Sequence, residues 1–167
     1  MSAPKASTEF HQQLDDIART PAIVASLLEG IPEEQRRIRL SPEEFSATEQ
    51  VCHLRDIELE AFGIRIRRIL DEDRPKLADV DGGRLAAERD YNKEDVARAL
   101  ETFADARSKS VVTLSSLDEE KLSRKGVMEG VGEIDLSKLT DMMREHDLNH
   151  IEELSSLRTR LFRRGEY

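Results

Sequence analysis

The sequence LTDMMREHDLNHIEELSSLRTRL, residues 139–161, carries an apolar or imidazole side chain at every third or fourth position. This spacing matches the 3.6-residue period of an α-helix and predicts one continuous inward-facing stripe. The stripe consists of Leu139, Met143, His146, His150, Leu154, Leu157 and Leu161. Two imidazoles four residues apart lie on adjacent turns, about 6 Å apart at Cβ. Because a buried polar group without a partner costs about 1–3 kcal/mol, two histidines on an apolar face indicate a shared polar role.

The same periodicity predicts three further helices before this last one, which covers residues 135–163. The first covers residues 7–30, and Thr20-Pro21 marks a point where it could break or restart. The second opens at Ser46 with a capping-box pattern, Ser-x-x-Glu, and is expected to end near residues 71–74, before Pro75. The third covers residues 92–117 and opens with another candidate cap, Asn92-Lys-Glu-Asp95.

Four amphipathic helices of this length predict an all-α fold, a four-helix bundle. We expect a single domain over residues 1–167, with a loose tail over residues 1–6. The connections at residues 75–91 and 118–134 are longer than ordinary bundle loops, so they either cross the bundle or shape the mouth of a site. Short strands are a weaker expectation for residues 118–134, which contain three glycines.

The composition narrows the classes of function. The 167 residues include 26 Lys and Arg against 35 Asp and Glu, a net charge of −9, whereas nucleic-acid binders need a basic face. No apolar run approaches the roughly 18 residues of a transmembrane helix, and residues 1–13 lack the apolar segment of a secretory signal. We therefore expect a cytoplasmic protein that binds neither nucleic acid nor membranes. The single cysteine, Cys52, excludes an internal disulfide.

His53 lies on the second predicted helix, on the same face as Ile57 and Ile64. If this face packs against the last helix, His53 meets His146 and His150. Three neutral imidazoles with an open coordination position are typical of a catalytic metal site. A metal-free network of hydrogen-bonded histidines is the alternative, and the residues alone leave both open. His11, among polar neighbours, is expected to be an ordinary surface or cap residue.

Several other side chains near the histidines are weaker candidates. Carboxylates that could orient a ligand or act as a general base are Glu49, Asp56, Asp147, Glu152 and Glu153. Adjacent helical residues point about 100° apart, so Cys52 is interpreted as a small buried side chain rather than a nucleophile beside His53. An outer charged face is expected for three arginines, with attraction of an anionic substrate as the alternative: Arg65, Arg67 and Arg68.

Three segments together form a family pattern. FSATEQVCHLRDIE, residues 45–58, has the form aromatic-Ser-x-x-Glu-x-x-x-His-Leu-x-Asp, and GVGEID, residues 130–135, precedes the last helix. REHDLNHI, residues 144–151, contributes the His-Asp-x-x-His helix. In this order and spacing the segments resemble the DinB-like superfamily, which includes the YfiT-type metal-dependent hydrolases. Phe45 stands where the family often has Trp, which changes packing at the helix start but does not touch the histidines.

This resemblance implies an up-down-down-up bundle, often dimeric, with a divalent metal bound by His53, His146 and His150. The metal is commonly zinc or nickel, and related members use low-molecular-weight thiols such as bacillithiol or mycothiol. The expected function is that of a metal-dependent hydrolase or thiol-dependent transferase acting on a small molecule, as a homodimer. The alternatives are a non-catalytic metal-binding bundle, acting as a sensor or interaction module, and a metal-free helical protein.

Overall fold

A computed structural model describes residues 7–165, so the loose tail predicted over residues 1–6 lies outside the described residues. In chain order the helices are α1 (Thr8–Glu29), α2 (Ala47–Ile57), α3 (Gly63–Asp71), α4 (Gly82–Arg89), α5 (Val96–Ser115), α6 (Glu119–Leu122) and α7 (Leu136–Arg164). A π-helical turn, Glu58–Phe62, joins α2 to α3. Short 3-10 turns lie at Glu33–Gln35 and Tyr91–Lys93. Among residues 7–165, no helix combines the length and the hydropathy needed to cross a membrane.

Four long segments form the bundle: α1, the continuous α2–α3 segment, α5 and α7. Helix α1 packs against α5 and α7, and α2 packs against the same two helices. The predicted four-helix bundle is thereby confirmed. Each helix contributes its apolar stripe to the interior, as the 3.6-residue period requires.

The interior contains two clusters of buried apolar side chains. The first includes the early parts of α1 and α7 and the late parts of α3 and α5, among them Phe10, Leu136, Ile69 and Leu114. The second includes the opposite ends of the same four segments. This alternation supports the up-down-down-up order implied by the resemblance, which we keep as a prediction.

A small sheet closes the end of the bundle that holds the first cluster. Strands β2 (Lys125–Met128) and β3 (Gly132–Asp135) form an antiparallel hairpin, and β1 (Lys76–Leu77) pairs in parallel with β2. Gly130 and Gly132 have φ values of 75° and 102°, which favour glycine, so they permit this tight turn. The weaker expectation of strands is correct for the hairpin, while β1 is too short to carry a sequence period.

Side-chain caps begin the helices where the sequence places them. Ser46 and Glu49 form the complete capping box of α2, each accepting a hydrogen bond from the other's backbone N–H. Asp95 caps α5, and Asp135 caps α7 by accepting from the backbone N–H of Lys138 at 2.7 Å. These caps fix where α2 and α7 begin, and hence which side chains face inward.

Pro21 neither breaks nor restarts α1, which runs through it from Thr8 to Glu29. Proline has no backbone N–H, so the carbonyl of Ile17, four residues earlier, lacks its helical donor. The side chain of Arg107, on α5, supplies the missing hydrogen bond from Nη1 at 2.9 Å. The proline is therefore accommodated by a cation from a neighbouring helix.

The π-helical turn corrects one expectation about the arginines. A π-helical turn holds more residues than an α-helical one, so it displaces the apolar stripe that follows it. Ile64, expected inside, is 37% exposed, whereas Arg65 is only 6% exposed. The outer-face interpretation is wrong for Arg65 and correct for Arg67, which is exposed, and for Arg68, whose guanidinium pairs with Glu72.

Candidate metal centre

Three histidines from two helices converge on one point. His53 lies on α2, and His146 and His150 lie one turn apart on α7. Each ring offers a nitrogen within 4.8 Å of those of the other two rings. The ring centroids of His53 and His150 are 4.5 Å apart, as are those of His146 and His150. The structure therefore brings the three histidines together, as expected from the sequence.

The spacing and protonation of these rings fit a divalent metal ion. The Nε2 atoms of His53 and His146 are 3.2 Å apart, and two nitrogens bound to one tetrahedral zinc ion lie about 3.3 Å apart. Burial, followed by the charges of His150 and His146, lowers the pKa of His53 to about 3. Burial and the charge of His146 lower the pKa of His150 to about 4. These two imidazoles are thus neutral near pH 7 and keep a lone pair for a metal.

Gln50, which was not among the predicted site residues, fixes the orientation of His150. Its Oε1 lies 2.7 Å from Nδ1 of His150, so it accepts that N–H and leaves Nε2 free. Glu153 Oε2 is 3.1 Å from the same Nδ1 and accepts from Gln50 Nε2 at 2.8 Å. The available signal was position, because Gln50 precedes His53 by three residues and so shares its face of α2.

His53 is confined by Phe45 on one side and by α4 on the other. The Phe45 and His53 ring centroids are 5.4 Å apart. A Cβ added to Gly82, the first residue of α4, would lie 2.4 Å from Cε1 of His53. Only glycine allows the backbone to approach the ring this closely. The connection after α3 therefore holds the His53 ring in place. This agrees with the expectation that residues 75–91 could shape the mouth of a site.

His146 lies beside a buried ion-pair network. Its neighbour Asp147 accepts from Arg107 Nη2 at 3.0 Å and from Thr20 Oγ1 at 2.6 Å. Glu58, in the π-helical turn, accepts from Arg107 Nε at 3.0 Å. We call Arg107, Glu58 and Asp147 the Arg107 network. It joins α5, α7 and the π-helical turn, so it sets how these segments are rotated around the histidines.

The histidines line a cavity of about 980 Å³, which we call the histidine cavity. Its walls combine apolar side chains, acidic side chains near the mouth and two arginines. The apolar lining includes Phe45, Ile57, Phe62, Val80, Met128 and Met142. The acids are Glu43, Glu44, Asp79, Glu152 and Glu153, and the arginines are Arg65 and Arg160. The long connections therefore shape the mouth of a site.

The remaining candidates lie apart from the cluster. Cys52 is fully buried, and burial raises the pKa of its thiol to about 12, which confirms the structural interpretation. Asp56 binds Arg89 and Tyr91, while Glu49 caps α2. His11 is exposed, with Nδ1 2.9 Å from the carbonyl of Ser7, as expected for a surface residue.

Comparison with known proteins identifies the family and the fold of this chain. The family model of the DinB superfamily matches residues 16–154. Among solved structures, YfiT from Bacillus subtilis superposes with a TM-score of 0.84 at 18% identity, covering 96% of this chain and 93% of that chain. YfiT is described as a probable metal-dependent hydrolase with an unusual four-helix bundle topology. A search of curated proteins gives no match. On the extent of the family match, this chain belongs to the DinB superfamily.

Proposed function

We propose that this protein is an enzyme in which His53, His146 and His150 hold a divalent metal ion, zinc or nickel. Held by these three histidines, such an ion would make water or a thiol reactive toward a small electrophilic molecule in the histidine cavity. The observation that carries the proposal is the convergence of three imidazoles on one point at the wall of a large cavity. The description of YfiT as a probable metal-dependent hydrolase supports the hydrolase form of this proposal.

The number of ligands favours catalysis over a structural role. Structural zinc sites are normally closed by four protein ligands, whereas catalytic sites keep one position for a reactant. Among residues 7–165, the group contains three histidines and no carboxylate or thiol that would complete four. His146 keeps about 24% of its side chain exposed, so the cluster is accessible from solvent.

The side chains around the cluster orient the ligands and shape the space for a reactant. A divalent cation in such a site acts as a Lewis acid that makes water or a thiol reactive near neutral pH. Gln50 and Glu153 hold the N–H of His150 away from the centre. Phe45 and Phe62 pack against His53 and His146 and exclude water from that side.

The size of the cavity supports a reaction with more than one component. Small-molecule sites usually have volumes of about 300–1,000 Å³, and the histidine cavity lies at the upper end of this range. The cavity has room for an electrophile together with a low-molecular-weight thiol. The proposal therefore includes both a transferase and a hydrolase. On the resemblance we extend the proposal to a homodimer, and on composition and charge to a cytoplasmic protein that binds neither nucleic acid nor membranes.

The proposal is tested with tag-free protein loaded with zinc or nickel. Esters, amides and alkylating electrophiles are supplied with and without small thiols, and product is measured by mass spectrometry. We expect turnover that disappears on chelation and in His146→Ala, but persists in His11→Ala. Turnover with thiol only would identify the transferase, and turnover without thiol the hydrolase.

Two results would overturn the proposal in different ways. Metal bound at one ion per chain without turnover across the panel would favour the non-catalytic sensor or interaction module. Equally little metal in the wild type and in His146→Ala would favour the metal-free histidine network.

A further inference from the structure

Arg65 is a buried cation with few partners. The residue is 6% exposed, and its Nη2 donates to the carbonyl of Ala78 at 2.9 Å. Within the part of the chain that the structure describes, its Nε is buried without an acceptor. The carboxylate of Asp79 lies 4.0 Å away, and that side chain is 69% exposed. Within the described residues, Arg65 therefore has only a long ion pair to an exposed carboxylate, although most of its side chain is removed from water.

Arg107 shows what a fully paired buried arginine looks like in the same fold. Its guanidinium donates to the carboxylates of Glu58 and Asp147 and to the carbonyl of Ile17. A buried charge without such partners costs several kcal/mol. Burial lowers the pKa of Arg65, and Asp79 opposes this only in part. The surroundings of Arg65 thus lack a full counter-charge.

The position of Arg65 relates this cation to the histidines. Arg65 lines the histidine cavity, and its Cζ lies 5.8 Å from the ring centroid of Phe62. The Phe62 ring in turn packs against His146, with centroids 5.6 Å apart. One aromatic ring therefore separates the guanidinium from the metal-binding cluster along the cavity wall.

We propose that Arg65 binds the carboxylate of a small organic acid whose other end reaches the histidine cluster. The guanidinium is the side chain best suited to a carboxylate, because its N–H groups match the two oxygens. The acidic side chains at the mouth repel a phosphate dianion more strongly than a singly charged carboxylate. The assignment of the reacting end rests on the proposed function, whereas the anion site rests on Arg65 itself.

The test measures binding of benzoate, with benzamide as its neutral counterpart, to chelator-treated protein by calorimetry or ligand-observed NMR. Omitting the metal prevents the carboxylate from binding to the ion instead of Arg65. A hydrogen-bonded charge is worth about 1.5–3 kcal/mol, so benzoate should bind about 10- to 100-fold more tightly than benzamide. Arg65→Gln should abolish this difference, and Arg67→Gln, an exposed neighbour on α3, should keep it.

A second variant makes the test independent of how well Arg65→Gln folds. Asp79 is exposed and competes for the guanidinium, so Asp79→Asn should tighten benzoate binding several-fold. Equal affinity for benzoate and benzamide in the wild type, or an equal loss in Arg65→Gln and Arg67→Gln, would overturn the proposal. Inorganic phosphate that binds as tightly as benzoate would overturn the choice of a carboxylate. Zinc binding in the same variants reports on the proposed function separately.

Discussion

The Arg107 network and the histidine cavity are both polar regions inside one bundle, but they are completed in different ways. In the Arg107 network, a cation, two carboxylates and a helix carbonyl are all paired with one another. In the histidine cavity, Nδ1 of His53, Nδ1 of His146 and Nε of Arg65 have no acceptor or donor within residues 7–165. The first region is fully paired within itself, whereas the second keeps buried polar atoms that no described residue pairs.

The two regions are adjacent, so the buried charges of the Arg107 network also help to position the histidine cavity. Asp147 belongs to the Arg107 network, and His146 next to it belongs to the cavity. The Nδ1 of His146 is 4.0 Å from the carboxylate of Asp147, too far for a direct hydrogen bond. Asp147 therefore acts on His146 by holding α7 in position rather than by pairing with its ring.

Breaking the Arg107 network should produce the largest effect on folding. Arg107→Met leaves two buried carboxylates without their counter-charge and the carbonyl of Ile17 without a donor, which should lower the free energy of unfolding by about 3–5 kcal/mol. Urea denaturation measures this loss. Arg98→Met, an exposed change on the same helix, should stay within about 0.5 kcal/mol. A loss below about 1 kcal/mol for Arg107→Met would show that the network does not stabilise the bundle.

Changing Gln50 should affect the cavity while sparing the fold. Gln50→Leu removes one acceptor of the His150 N–H and the amide that holds the other acceptor, Glu153, so zinc affinity should fall about 10- to 100-fold. Gln50→Glu keeps an acceptor and should retain most of the affinity. Competition with a chelating dye measures both. If Leu and Glu at this position bind zinc equally well, Gln50 has no orienting role.

A change at Gly82 tests the position of His53 without altering any ligand. Alanine there would place a methyl group 2.4 Å from the His53 ring, so the ring must move and zinc affinity should fall about tenfold. Gly83→Ala is the matched control, because its nearest neighbour, Asp81 Oδ1, would be at an ordinary 3.4 Å. The same dye competition compares the two. Identical affinities would mean that α4 does not confine His53.

Asp56 is another fully paired carboxylate, and its pairing predicts a modest dependence of stability on pH. Burial alone would raise the pKa of Asp56, but hydrogen bonds from Arg55, Tyr91 and Arg89 outweigh it and hold the pKa below its ordinary value. The contribution of Asp56 to the free energy of unfolding is therefore complete above about pH 4, where its carboxyl group is ionised in the unfolded chain as well. This contribution is lost as the pH falls through the lower pKa of the folded state.

The measurement for Asp56 compares urea midpoints from pH 7 to pH 3. Asp56→Asn should be about 1 kcal/mol less stable than the wild type at pH 7, and the gap should narrow on acidification. A gap that widens as the pH falls would contradict the sign of this linkage.

Sequence periodicity and caps were sufficient to predict the bundle and the convergence of the three histidines. The stripe on α7 and the capping box at Ser46 depend only on local spacing, so they could be read directly. The burial of Arg65 could not be predicted from the sequence. The π-helical turn before it has no sequence period of its own and shifts which face of the helix points inward. Gln50 was missed because its role depends on His150, one hundred residues away.

The most direct test of the account is a zinc titration of tag-free protein by calorimetry. The wild type and His11→Ala should each bind one zinc ion per chain with the same affinity. His53→Ala and His146→Ala, which remove ligands from different helices, should each weaken binding by at least about 100-fold. Equal zinc binding by the wild type and His53→Ala would contradict the central claim that α2 and α7 share one metal ion.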